Sequence, residues 1–314
     1  MKAIFKSIAV VFLSLSFLCI LASCNKVNPE VIPIVSTSSN VTVYYKTADV
    51  SGQVTDAYDV KTVGFNYGTE KDKLTSFSAA KLDGDNIVGT ISGLTSGGKY
   101  YFQAVAKTKH TTVVGEIHEF QLFFEGPIDL GLPSKTLWAS SNVDATYPHE
   151  TGGYYAWGET KEKAIYNWTS YIYCNGDEYT ITKYNQDDGK TQLETIDDAA
   201  YQKSSGKLRI PTNEQWAELR SNCTVMQTTI NGVYGWKIYN KHGNGSPFIF
   251  FPRTGYYGGY SLLSGPYYWT STRSLSSSSY YSKYADSASF GSSISLSEYG
   301  ERTCGLNLRG VYVQ

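Results

Sequence analysis

Short runs of β-branched and aromatic residues, separated by turn-forming clusters, repeat along most of this 314-residue chain. No other feature restricts its fold more. Strand-like runs and turn clusters such as Asp83-Gly84-Asp85-Asn86 alternate in the first part of the chain, with runs at 41–46, 62–67, 87–91, 100–108 and 117–122. This length and spacing are typical of a β-sandwich. We therefore predict a mostly β protein whose first folded domain spans residues 41–124.

The second half of the chain, residues 125–314, combines many strand patterns with few helix patterns. A strand that ends at Pro211 is followed by a helix, with Thr212 as N-cap and Gln215 closing a capping box. A second short helix is predicted at 197–203. Strands are predicted at 137–143, 153–157, 235–239, 247–251, 267–273, 280–290 and 304–313. This pattern indicates an α+β domain.

Charge and aromatic content exclude two classes of protein. The chain has 27 Lys and Arg against 28 Asp and Glu, a formal net charge of -1. Without a basic excess, nucleic acid binding has no electrostatic support, and we predict no nucleic acid partner. The 27 tyrosines and an aromatic share of 15% argue against disorder.

The N-terminus has the features of a secretory signal. Two lysines precede an apolar run over residues 8–21, which is shorter than the roughly 20 residues that span a bilayer. The run ends in Leu21-Ala22-Ser23-Cys24, which resembles the lipobox of bacterial lipoproteins. This resemblance implies cleavage of residues 1–23 and acylation of Cys24.

Such an anchor makes the membrane a predicted partner. Three acyl chains exceed the two hydrophobic signals that give stable attachment, so no spanning helix is required. Residues 24–40 contain Pro29, Pro33 and a Ser/Thr cluster, and we predict that they form a tether. We expect an outer membrane lipoprotein at the cell surface, with the periplasmic face as the alternative.

The stretch from Leu94 to Ala106 resembles the corner between strands E and F of fibronectin type III domains. It includes a tyrosine, Tyr100, six residues after Leu94. The resemblance implies that the Tyr100 hydroxyl returns to upstream backbone. It also implies a spacer or adhesion module.

Five motifs in the second half resemble, in order, the Fibrobacter-type major paralogous domain, which is frequent in lipoproteins of gut Bacteroidetes. They lie at 129–143, 152–160, 209–216, 268–272 and 305–309. That family is similar to the formylglycine-generating-enzyme superfamily, whose arginine-to-tryptophan motif matches residues 209–216 with Gln215 in place of Glu. The resemblance implies a C-type-lectin-like fold for residues 125–314.

Catalysis is not expected from these residues. Formylglycine-generating enzymes use a cysteine pair near the last motif, whereas Cys304 stands alone there. The tripeptides with which lectins coordinate calcium and sugar are absent, the four histidines are scattered, and Asp83 and Asp85 fit a hairpin turn better than a calcium loop. We predict no enzyme activity, no cofactor and no metal site.

The remaining cysteines and the tryptophans have structural interpretations. Cys174, Cys223 and Cys304 follow the lipobox, so one disulfide leaves one thiol over. If any pair forms, we favour Cys174–Cys223, because Cys304 lies in an apolar strand pattern. Four tryptophans inside the family motifs are predicted to anchor the core: Trp138, Trp157, Trp216 and Trp269.

Residues 255–300 have the composition of a binding surface. These 46 residues include 9 Tyr, 15 Ser and 6 Gly. Antibody paratopes share this bias, because Tyr gives broad contact at low rotamer cost while Ser and Gly adapt. We predict that most of the candidate ligand-binding residues project onto one surface: Tyr256, Tyr257, Tyr260, Arg273, Tyr280, Tyr281 and Tyr284.

The functional expectation is a membrane-anchored, adhesin-like binding lipoprotein whose lectin-like domain recognises a glycan or a surface protein. Two alternatives stay open. One is a structural subunit of a surface assembly such as a pilus tip. The other is an enzyme of the formylglycine-generating type or a hydrolase.

Overall fold

The computed structural model describes residues 32–274 and 282–313. Alternating apolar residues in the first part of the chain form antiparallel strands. In chain order these are β1 (Ile34–Thr37), β2 (Thr42–Val43), β3 (Ala48–Thr55), β4 (Thr62–Gly68), β5 (Ser76–Ala79), β6 (Lys81–Asp83), β7 (Asn86–Ile91), β8 (Lys99–Lys107), β9 (Thr112–Val114) and β10 (His118–Gln121).

These ten strands form two sheets that face one another across a shared core. One has the order β1-β3-β7-β6 with β2 beside β3, and the other has the order β10-β8-β4-β5 with β9 beside β8. Strand β3 buries every second residue, including Val50 and Val54, against the second sheet's Phe65 and Phe102. The period of two thus separates core from solvent, as expected for a sandwich.

Two local predictions in this sandwich are confirmed. The Thr95 backbone N–H donates to the Tyr100 hydroxyl oxygen at 2.9 Å, which closes the predicted tyrosine corner. Asp83 and Asn86 pair across the β6–β7 hairpin, and Gly84 adopts φ +58° in its turn. The left-handed conformation favours glycine at that position.

The second half of the chain is α+β. Its strands are β11 (Ile128–Asp129), β12 (Leu137–Asn142), β13 (Leu208–Arg209), β14 (Cys223–Ile230), β15 (Val233–Asn240), β16 (Phe248–Pro252), β17 (Tyr256–Gly258), β18 (Ser261–Leu263), β19 (Tyr267–Arg273), β20 (Tyr284–Phe290), β21 (Ile294–Glu301) and β22 (Arg309–Tyr312). The α-helices of the described residues are α1 (Ala199–Lys203) and α2 (Asn213–Asn222), and short 3-10 turns lie at Trp168–Ser170 and Thr195–Asp197. Within the described residues, the sheet orders are β11-β12-β22-β13, β14-β15-β16, β17-β18 and β19-β20-β21.

The predicted capping box begins α2. Gln215 N–H donates to Thr212 Oγ1 at 3.3 Å, and Thr212 N–H donates to Gln215 Oε1 at 2.9 Å. Trp216 and Leu219 are both fully buried on the inward face of the helix. The four predicted core tryptophans have no exposed surface, which confirms that interpretation: Trp138, Trp157, Trp216 and Trp269.

Two expectations need correction. Residues 34–37, inside the predicted tether, form β1, because Val35 and Thr37 are buried while Ile34 points outward. The strand predicted at 153–157 is an irregular segment with one isolated bridge, Tyr155 to Leu306.

No helix of the described residues has the length and apolarity needed to cross a membrane.

The cysteines also differ from the expectation, because no disulfide joins them in the described residues. Cys174, Cys223 and Cys304 are all free, so the favoured Cys174–Cys223 pair is not formed. Cys223 is buried at the end of α2, and the Cys174 thiol donates instead to the Trp168 carbonyl at 3.1 Å. Cys304 lies in a bend before β22, and burial raises the pKa of its thiol to about 12.

The sandwich and the second half of the chain share part of their core. Phe248 and Phe250 of β16 belong to the same buried cluster as Phe123. The Asn231 side chain bonds both backbone groups of Val43, accepting from its N–H at 2.8 Å and donating to its carbonyl at 2.7 Å. That residues 25–124 and 126–314 each fold alone remains a prediction.

His149 lies in this junction and makes its stability depend on pH. Its ring stacks on Phe123 at 5.7 Å between centroids. Asn231 Nδ2 donates to His149 Nδ1 at 3.3 Å, so the bond requires a neutral imidazole. Burial lowers the pKa of His149 below its ordinary value of 6.5. The folded chain therefore binds fewer protons at this site than the unfolded chain does.

We predict that the contribution of His149 is complete above about pH 6.5 and is lost as the pH falls below that value. The measurement is the melting temperature between about pH 7.5 and pH 5.5, for the natural chain and for His149→Phe, which keeps an aromatic ring but cannot titrate. The variant should lose less stability on acidification. Equal losses for the two proteins would contradict the assignment.

Candidate functional site

The candidate site is built on the β17–β18 hairpin. Tyr256 pairs with Leu263 and Gly258 with Ser261, which leaves Gly259 and Tyr260 as a two-residue turn. Gly259 adopts φ +62°, a conformation that a side chain would strain. Tyr260 therefore stands at the tip of the hairpin, where its side chain is 75% exposed.

Two further segments hold the hairpin by backbone hydrogen bonds. Tyr257 and Gly305 exchange N–H···O bonds of 2.9 Å in both directions. Gly259 and Tyr166 do the same, also at 2.9 Å. The strand that carries the turn is thus paired on both sides, so the tip is presented by ordered backbone.

The Tyr257 ring packs inward between two other tyrosines. It stacks on Tyr166 with 5.4 Å between centroids and meets the Tyr154 ring edge-on at 4.9 Å. Burial raises the pKa of Tyr154 and of Tyr166 to about 12. Both hydroxyls therefore stay protonated and donate, Tyr154 to the Thr254 carbonyl at 2.6 Å and Tyr166 to the Tyr154 carbonyl at 2.7 Å.

Apolar side chains are exposed along β18 and at the hairpin tip, on both faces of the hairpin, because Leu262 and Leu263 are neighbours in a strand and point to opposite sides. Leu262 is 54% exposed, and Leu263 and Tyr267 are exposed as well. The Tyr256 ring meets the Tyr267 ring edge-on at 5.2 Å. Together with Tyr260 these side chains form what we call the hairpin patch, defined as Tyr256, Tyr260, Leu262, Leu263 and Tyr267.

Polar groups border this patch. Arg253 is exposed and its Nη2 donates to Ser264 Oγ at 2.8 Å. Ser261 is exposed at the start of β18. An apolar centre with a polar rim is the usual anatomy of a protein-binding surface.

The predicted site residues fall into two groups. Tyr256, Tyr257 and Tyr260 belong to the hairpin. Arg273 lies at the end of β19, where it pairs with Ala285, and Tyr284 begins β20 with Lys283 Nζ 5.3 Å from its ring centroid. Tyr280, Tyr281 and the predicted lipidation site Cys24 lie outside the described residues.

Tyr260 is exposed, whereas Tyr256, Tyr257 and Tyr284 are half-buried. We expected most of the candidate tyrosines to project onto an exposed surface, but of these four only Tyr260 does so. Neighbours in a strand point to opposite faces, so Tyr256 and Tyr257 cannot both face outward from β17. Each finds a ring partner that is distant in sequence or across a turn.

Sequence reasoning did not select Leu262, Leu263 or Tyr267. A signal for them exists, because Gly258-Gly259 between two short apolar runs is a hairpin pattern whose far strand carries both leucines. A metal centre finds no support in the described residues, where no three His, Cys, Asp or Glu side chains cluster.

Comparison with known proteins finds only weak structural similarity. No family model matches the chain, and no curated protein matches it. Among solved structures, the sensor domain of the anti-sigma factor RsgI4 from Pseudobacteroides cellulosolvens is 16% identical, with a TM-score of 0.24, over 29% of this chain and 95% of that domain. A human fibronectin type III domain is 15% identical, with a TM-score of 0.22, over 28% of this chain and 84% of that one.

We predict that the two neighbouring tyrosines of the hairpin differ in their effect on stability. Tyr257→Ala removes a ring packed between two others and should cost about 1–2 kcal/mol, a fall of roughly 3–6 °C in melting temperature. Tyr260→Ala removes an exposed ring and should leave the melting temperature within about 1 °C. Similar falls for both variants would mean that the tip is packed.

Proposed function

We propose that this chain is a membrane-anchored binding lipoprotein that contacts a surface protein through the hairpin patch. The observation that carries the proposal is the exposure of Tyr260 and Leu262 on a hairpin whose backbone is paired on both sides. Exposed aromatic and aliphatic side chains on ordered backbone are characteristic of binding surfaces, since little conformational entropy is lost on contact.

A protein ligand suits the patch better than a glycan does. Leu262 and Leu263 offer apolar surface without hydrogen-bonding groups, whereas a sugar requires donors and acceptors around its ring. Burial of apolar surface contributes roughly 25 cal/mol per Å², so such side chains are effective when a partner excludes water from them.

The anchor and the finer family assignment belong to the same proposal. The lipobox at Cys24 supports attachment to the outer membrane, and we place the protein at the cell surface. The five motifs of residues 125–314 support a lectin-like domain of the Fibrobacter type. Residues 41–124 would then act as the spacer that carries this domain away from the lipid.

We predict that Cys24→Ser moves the protein from the detergent phase to the aqueous phase in a detergent-partition assay. Each buried acyl CH₂ contributes about 0.8 kcal/mol to membrane retention, so loss of acylation should be decisive. Cys174→Ser is the matched control, because that thiol lies outside the lipobox, and it should partition like the natural chain. A Cys24→Ser protein that stays with the detergent would exclude the lipid anchor.

The binding surface is tested with the aqueous Cys24→Ser protein on arrays of surface proteins and of glycans. We predict binding to protein, weakened at least about tenfold by Tyr260→Ala with Leu262→Ser, which corresponds to 1.4 kcal/mol or more. The control is Tyr58→Ala, which removes a tyrosine that is 91% exposed on the sandwich.

Three outcomes would count against the proposal. The first is protein binding that the hairpin variant retains in full, and the second is binding to glycans alone. The third is self-association in size-exclusion chromatography that the hairpin variant abolishes, because the patch would then be an interface between copies in a surface assembly. Melting temperatures of the variants should stay within a few degrees, which separates lost contact from lost folding.

A further inference from the structure

A cavity of about 390 Å³, lined by both polar and apolar side chains, opens beside the first turn of α2, apart from the hairpin patch. Strands β13, β19 and β22 supply its walls together with the start of the helix. Its volume is near the lower end of those that hold small ligands, roughly 300–1,000 Å³. The polar lining relevant here consists of Gln192, Arg209, Thr212, Gln215, Ser271 and Tyr312.

Several of these polar groups have no partner in the described part of the chain. Ser271 is 2% exposed, and its hydroxyl makes no hydrogen bond there although its backbone N–H and carbonyl are both bonded. Gln215 uses Oε1 in the capping box and leaves Nε2 unused. The exposed amide of Gln192 is likewise unbonded within the described residues. A hydroxyl this deeply placed is normally satisfied by protein, water or ligand.

The charge of the cavity is balanced. Arg209 Nε donates to Asp198 Oδ2 at 2.7 Å, and Arg209 Nη2 donates to the Leu193 carbonyl at 2.6 Å. Asp198 is fully buried and also accepts from the Ile210 N–H. The guanidinium therefore presents one remaining N–H edge, while its positive charge is compensated by a carboxylate. An anion would gain little from such a site.

We infer that this cavity binds one neutral hexopyranose unit of a glycan. Two amide side chains and two hydroxyls can each donate or accept, which matches the alternating hydroxyls of a sugar better than a ligand that only accepts. The Tyr312 ring and the apolar side chains of Ile210 and Val311 give the C–H face of a sugar ring a surface to cover. This inference concerns a second site and does not depend on the hairpin patch.

The test uses the full chain carrying Cys24→Ser and a panel of methyl glycosides of glucose, galactose, mannose and N-acetylglucosamine. Binding is measured by saturation-transfer NMR and by calorimetric titration. At least one glycoside should bind with a Kd on the order of 1 mM, as expected for one small ligand. Ser271→Ala and Gln192→Ala should each weaken it about three- to tenfold, since each removes one hydrogen bond.

Both substitutions remove groups without a described hydrogen-bond partner, so the melting temperature should not change and loss of binding would not reflect unfolding. Tyr260→Ala is the control and should bind the glycoside as the natural chain does. The inference fails if no glycoside binds at about 50 mM, well above the expected Kd. It also fails if both cavity variants bind normally, if Tyr260→Ala abolishes binding, or if acetate binds in place of the sugars. None of these outcomes bears on protein binding by the hairpin.

Discussion

The packing of the second half of the chain depends on the hydrogen bonds of one buried guanidinium, that of Arg309. It donates from β22 to the carbonyls of Ala139 and Ser140 in β12 at 3.0 and 2.7 Å, and to the Phe250 carbonyl in β16 at 2.7 Å. The Phe251 ring lies 4.4 Å away. No carboxylate of the described residues pairs with it. Removing a charge from water costs several kcal/mol, and here carbonyl dipoles and one aromatic face compensate for that cost. Burial lowers the pKa of Arg309 to about 10, so it stays charged at neutral pH.

The residues just before Arg309 connect this buried group to the hairpin by further hydrogen bonds. Asn307 Nδ2 donates to the carbonyls of Thr151 and Gly153, both at 3.0 Å, and Gly305 pairs with Tyr257. A Cβ at Gly305 would lie 2.5 Å from the Tyr166 ring, so a larger residue would displace the ring that supports Tyr257. The motif at 305–309 therefore explains why the hairpin tip can be both exposed and ordered. The segment 305–309 thus links the buried charge to the candidate surface.

Features set by a few neighbouring residues were predictable from the sequence. The Thr212–Gln215 capping box and the Tyr100 corner each join groups within five residues, and both appear as predicted. The hairpin patch was not predictable in this detail, because composition counts tyrosines without assigning their faces. Tyr257 is held by Tyr154 and Tyr166, about a hundred residues earlier in the chain. The cavity is similarly lined by segments that are distant in sequence, from Gln192 to Tyr312, so no local sequence pattern predicts it.

The hairpin and the cavity differ in the kind of contact they can make. Strand β17 is paired on both sides, with β18 and with Gly305, so its backbone is not available to a partner. Strand β18 spans three residues, which is short for a template that could recruit an extended peptide. The proposed protein contact would therefore rest on the side chains of Tyr260 and Leu262, and its strength on how completely the partner excludes water from them. The cavity differs, since hydroxyl and amide groups line it beside apolar side chains, and a ligand there would be selected by the direction of its hydrogen bonds as well as by its contact area. A chain that used both would join a broad apolar contact to a narrow contact of mixed polarity, and each could change without disturbing the other.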